Sequence, residues 1–62
     1  MLKEEARRAV IAEWRGLPKE QRQTETDALL FAMKAKERYR WRASGDPYQH
    51  IMGWIRPYIG QP

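Results

Sequence analysis

The chain has 62 residues, 42% hydrophobic and 32% charged, with a formal net charge of +4 and no cysteine. That length supports one domain over residues 1–62, burying about 60% of its unfolded surface, so a stability of only a few kcal/mol is expected. The composition excludes disulfide staples and thiolate metal sites, and no apolar run approaches the roughly 18 residues of a bilayer span.

The opening "MLKEEARRAV" is charged throughout and has no apolar stretch of the kind a signal peptide carries, so a cytoplasmic protein is expected. Leu2, Ala6, Ala9, Val10, Trp14 and Leu17 recur at three- and four-residue steps, which predicts a first helix over residues 2–15. Glu4 and Glu5 suit its positive end. Gly16 is expected as a left-handed terminator, with Leu17 making the accompanying apolar contact and Pro18 blocking continuation. "LPKEQRQTE" then reads as a polar connector with room for one helical turn starting at Pro18.

Thr24 or Thr26 caps the second helix, and Thr24 with Asp27 three residues on forms a short-armed capping box. Ala28, Phe31, Ala32, Ala35 and Tyr39 keep helical spacing, with Leu29 and Met33 beside them. No glycine or proline interrupts residues 19–44, so the helix is predicted over 25–43, on the order of 27 Å long. In "SGDPYQ", Gly45 ends that helix, Asp46 caps the third, Pro47 takes its first position and Gln49 closes a capping box. The third helix is predicted over 47–56, with Tyr48, Ile51, Met52 and Ile55 on its apolar stripe. Pro57 stops it, leaving an extended tail at 57–62 from which Tyr58 and Ile59 can fold back on the core. The fold class expected is all-α, a small three-helix domain around Trp14, Phe31, Tyr39, Ile51 and Ile55. "RYRWR" also alternates charge and aromatic with the period of a half-buried strand, but an isolated strand has no ladder partner, so helix is favoured.

The charge is unevenly placed. Residues 1–31 carry six basic and six acidic side chains, residues 32–62 six basic and two acidic. Five of those six are Lys34, Lys36, Arg38, Arg40 and Arg42 within "KAKERYRWR", a local potential that recruits anions whatever the fold. On a helix Lys34, Arg38 and Arg42 share one line and Lys36 and Arg40 a second, about 200° away, so phosphates would be met by two flanks. Arginine suits bidentate phosphate contact, and Trp41 is the aromatic placed to stack on bases. The bland account is equally physical: cations in the last turns complement the helix dipole, and Tyr39 continues the core face.

The second helix, the glycine-bearing turn and the third helix also stand in helix-turn-helix order, which would bring Gln49, His50 and Gly53 near base edges. This alignment puts Trp41 where that motif takes a small residue. Trp54 beside Trp41 or Tyr58 would form an aromatic–arginine patch of the kind enriched in protein-binding hot spots.

Catalysis is not expected. Ser44, Asp46 and His50 are triad residue types, but the first two belong to a capping turn, and so short a chain offers little for a pocket or an oxyanion hole. One histidine without cysteine does not make a zinc set, and no cofactor is expected. The leading expectation is a small basic non-enzymatic module, or an accessory to one, that binds DNA or RNA. Its site is Lys34, Lys36, Arg38, Arg40, Trp41 and Arg42, with Gln49, His50 and Trp54 nearby. The alternative is an adaptor or inhibitor that sets the same Arg/Trp patch on an acidic protein surface. Membrane binding is disfavoured, and either a monomer or a homodimer is expected, since self-association also enlarges a small core.

Overall fold

The fold is described by a computed structural model covering residues 1–42 and 45–61. Ala43, Ser44 and Pro62 lie outside the described residues, and with them the expected last residue of the second helix, the serine of the triad-like set and the end of the tail. The described residues form a small all-α, three-helix domain without strands: α1 (Lys3–Arg15), α2 (Glu25–Arg38) and α3 (Pro47–Ile55). Short 3₁₀ turns at Lys19–Gln21 and Arg56–Tyr58 accompany them.

In α1 the Glu5 carboxylate accepts the Leu2 N–H at 3.0 Å, holding the first turn. Ala6, Val10 and Trp14 repeat every four residues and are buried, while Leu2 stays exposed beyond the end of the stripe. Gly16 departs from expectation: at φ −83° it is right-handed, and its N–H donates to the Ala12 and Glu13 carbonyls at 3.0 and 3.2 Å. Pro18 then turns the chain out of α1 and into the 3₁₀ turn.

Thr24 caps α2 as its spacing requires. Its hydroxyl accepts the Asp27 N–H at 3.1 Å, and the Asp27 carboxylate accepts the N–H groups of Thr24 and Gln23 at 3.2 and 3.0 Å. The face α2 turns inward is built mainly of small residues, Ala28, Ala32 and Ala35, with Phe31 the one large side chain among them. At α3, Asp46 accepts the Tyr48 N–H at 3.0 Å and Pro47 opens the helix. Gln49 makes no return bond among the described residues, so the Asp46 cap acts alone. Gly45 sits at φ +98°, where a Cβ would come 3.0 Å from the His50 ring, so the approach to α3 requires glycine.

The core joins Val10 and Trp14 of α1, the inner face of α2 and Ile51, Met52 and Ile55 of α3. Trp14 is fully buried, packs edge-on to Phe31 with ring centroids 5.3 Å apart, and donates its indole N–H to the Tyr58 carbonyl at 3.4 Å. The segment after α3 is not the extended tail expected. Pro57 fits the second position of a 3₁₀ turn, and Tyr58 and Ile59 pack on the core. Arg22 bonds the Gln61 carbonyl at 2.6 Å, and the Gly60 N–H reaches the Arg22 carbonyl at 2.9 Å.

Two positions corrected by the structure follow from one change. α2 stops at Arg38 rather than at residue 43, and Tyr39 is extended at φ −105°, ψ 124°, its N–H closing the last helical bond to Ala35 at 2.9 Å. Residues 39–46 therefore separate α2 from α3, against the three or four of a helix-turn-helix, so that motif's turn is not built.

Trp14→Ala removes the largest fully buried side chain of the core that the three helices share, at a cost of about 3–5 kcal/mol. That loss is comparable to the whole stability of so small a domain. The variant is expected to be largely unfolded at 25 °C by far-UV circular dichroism, whereas Thr24→Ala, which removes one cap, is expected to stay folded and lose about 1 kcal/mol in urea titration.

Candidate nucleic-acid interface

The end of α2 explains how the basic stretch is displayed. Continued as a helix, the chain would bury Tyr39 and carry Trp41 about 200° away. Extended, it alternates: Tyr39 and Trp41 fall on one side and are half-buried against the core, while Arg40 and Arg42 fall on the other and are exposed. Aromatic side chains bring the largest burial of any type, and covering two of them rather than one offsets the lost helical turns. The helix favoured for "RYRWR" is thus corrected: Arg38 ends α2, Tyr39 is extended, and exposure alternates with a period of two over residues 39–42 without a ladder.

Trp41 lands on α3. Its ring centroid lies 5.1 Å from that of Trp54 and 6.1 Å from His50, and His50 stands edge-on to Trp54 at 6.2 Å. The three rings form one half-buried cluster between the segment that carries Arg40 and Arg42 and α3. Beside it an open groove runs between the start of α1 and the extended segment, lined by Met1, Leu2, Glu5, Arg40, Trp41 and Arg42.

The remaining candidates separate. Arg38 is committed: its guanidinium makes a two-pronged pair with Glu13 of α1 at 2.7 and 2.5 Å and lies 5.6 Å from the centre of the Tyr39 ring. The hydrogen bonds to Glu13 raise the Arg38 pKa further above its ordinary value. Arg56 pairs with Glu25 at 3.1 Å. Lys34 is exposed along α2 near the Glu13–Arg38 pair, and Lys36 is half-buried on another flank. Among the described residues, Lys34, Lys36, Arg40 and Arg42 have no carboxylate at ion-pair distance. Gln49 is exposed on α3, outside the ring cluster.

His50 has aromatic rings around it, and Asp46 caps α3 through its carboxylate, while Ser44 lies outside the described residues. Among the described residues no group of three His, Cys, Asp or Glu is placed to hold a metal ion, and no helix is long and apolar enough to cross a membrane. Two features escaped sequence reasoning. Glu13, 25 positions from Arg38, carried no local signal as its partner. The outward row Leu29, Leu30 and Met33 was foreshadowed only by the unbroken apolar run "ALLFAM", which surrounds the helix instead of striping it.

No family model matches the chain, and no curated protein or solved structure does either.

Tyr39 supplies a pH test of the extended segment. Burial, then the Glu13 charge, raises its pKa above the ordinary 10.0, and Arg38 opposes them. A phenol whose folded pKa is raised contributes stability that is present below pH 10 and is lost as pH rises through the folded value. Tyr39→Phe is therefore expected to flatten the alkaline fall in stability, followed by urea titration at rising pH.

Proposed function

We propose that this chain is a small non-enzymatic nucleic-acid-binding or accessory module, engaging phosphates chiefly through Arg40 and Arg42. The observation that carries this is the alternation at residues 39–42: two exposed guanidinium groups flank a tryptophan that the fold holds in place from behind. In an extended chain, side chains two residues apart are spaced by about 6.6 Å, which suits successive phosphates of one strand. Arginine meets each with a paired donor fork, and the exposed part of Trp41 offers a surface for an unpaired base. Lys34 and Lys36 strengthen the field, while Arg38 leaves the contact set because Glu13 holds it. On this proposal the module works in the cytoplasm.

A second reading keeps the same patch and changes the partner. Two tryptophans in contact beside two exposed arginines have the composition of a protein-binding hot spot, here for an acidic surface. Salt dependence separates the two.

Binding to mixed-sequence single-stranded DNA, single-stranded RNA and duplex DNA should be followed by fluorescence anisotropy from about 50 to 200 mM salt. Single strands are expected to bind most tightly, with a log–log slope of about −3 for four phosphates, and Arg40→Glu/Arg42→Glu to flatten it to about −1.5. Arg38 is not the residue to reverse, since Arg38→Glu sets two carboxylates together and confounds folding with binding. Absence of binding to any of the three at about 50 mM salt refutes the nucleic-acid reading and leaves the acidic protein surface.

A further inference from the structure

α2 is built the wrong way round for a helix with one partner face. Its inner side carries Ala28, Ala32 and Ala35 with Phe31, whereas Leu29, Leu30 and Met33 are turned outward and remain 39, 54 and 48% exposed. At 100° per residue these three fall within an arc of about 100°, on the opposite side of the helix from the buried set. A helix apolar on both faces, with the longer side chains outside, has a second surface to cover.

The charges on either side of this row say what covers it. One flank carries Asp27 and Lys34, the other Glu25 and Lys36, with both acids toward the start of α2 and both lysines toward its end, while Glu37 stands on the row itself one turn beyond Met33. A second copy of α2 laid antiparallel sets like flanks against each other, so an acid at one end of the helix meets a lysine from the other end of its neighbour. Asp27 against Lys34 and Glu25 against Lys36 are both symmetric about the same point, midway between Leu30 and Phe31. That same point sets Leu30 near its own counterpart and Leu29 near Met33 of the other copy. The two flanks and the apolar row thus agree on a single register.

We propose that the outer face of α2 is a self-complementary surface on which a second copy of this chain docks antiparallel through Leu29, Leu30 and Met33. The acids are available for it. Asp27 caps α2 through one oxygen, Oδ2, leaving Oδ1 for a lysine. The Glu25–Arg56 pair is 62 and 60% exposed, a solvated contact that exchanges at little cost. In the pair, Lys34 and Lys36 are drawn to the other copy, and Arg40 and Arg42 of both chains supply four guanidinium groups for an anionic partner. A single 14-residue helix buries less than the interfaces of tight dimers, so association belongs to the weak end of the range.

Sedimentation equilibrium of the full chain, without nucleic acid, should therefore show a shift from one-chain to two-chain mass between about 10 μM and 1 mM. Leu30→Glu and, independently, Met33→Glu should hold it at one-chain mass with the helical circular dichroism unchanged, since both positions are exposed. Lys36→Glu alone and Glu25→Lys alone each place like charges together on that flank and should self-associate at least tenfold more weakly. Mixed one to one, they place opposite charges together at both ends of the pair and should form a two-chain species more readily than either variant alone. A one-chain mass throughout the range overturns the proposal, as does a dimer that Leu30→Glu, Met33→Glu and Lys36→Glu all leave intact. Failure of the mixed variants to associate overturns the antiparallel register. None of these outcomes depends on whether the chain binds nucleic acid.

Discussion

A tryptophan is among the largest volumes a core must enclose, and in 62 residues little apolar material is available to enclose it. Here the burial of Trp14 organises everything around it. α2 meets it with Phe31 edge-on and adds Ala28, Ala32 and Ala35 to the same core. Its indole N–H needs an acceptor once buried, and the Tyr58 carbonyl supplies one, which draws the end of the chain onto the domain. Arg22 and the Gly60 N–H then fasten the same segment to the connector before α2. Phe31 is the one large α2 side chain inside, and Leu29, Leu30 and Met33 are exposed.

The same economy of apolar surface decides the shape of the basic stretch. Helix propagation past Arg38 would add backbone hydrogen bonds but leave Trp41 on the far side of the chain. The extended path gives up those bonds, buries part of Tyr39 and Trp41, and stacks Trp41 on Trp54. Cation display is a by-product: alternation sends Arg40 and Arg42 outward whether or not a partner exists. That is why charge alone was a weak clue, and why the fixed position of Trp41 between the two arginines carries more weight than the number of cations.

Much of the fold was legible in local chemistry. The Thr24–Asp27 box, the Asp46–Pro47 start of α3, the apolar stripes of α1 and α3 and the turn after Pro18 all express rules that act within four residues. What was not legible depends on contacts between distant positions. The end of α2 is set by where Trp54 waits for Trp41, and the role of Arg38 by Glu13 across the helix pair. The return of the last residues is set by Trp14 and Arg22. Gly16 shows the local version of this limit: its sequence context suits a left-handed stop, yet a right-handed glycine followed by Pro18 ends α1 equally well.

The central claim is that α2 ends at Arg38 and that residues 39–42 run extended with Trp41 against Trp54. Backbone carbon chemical shifts and indole nuclear Overhauser contacts in solution test it directly. The account predicts helical shifts through Glu37 or Arg38, extended shifts for Tyr39 to Arg42, and strong contacts between the Trp41 and Trp54 rings. Helical shifts continuing through Arg42, with no contact between the two indoles, would contradict it.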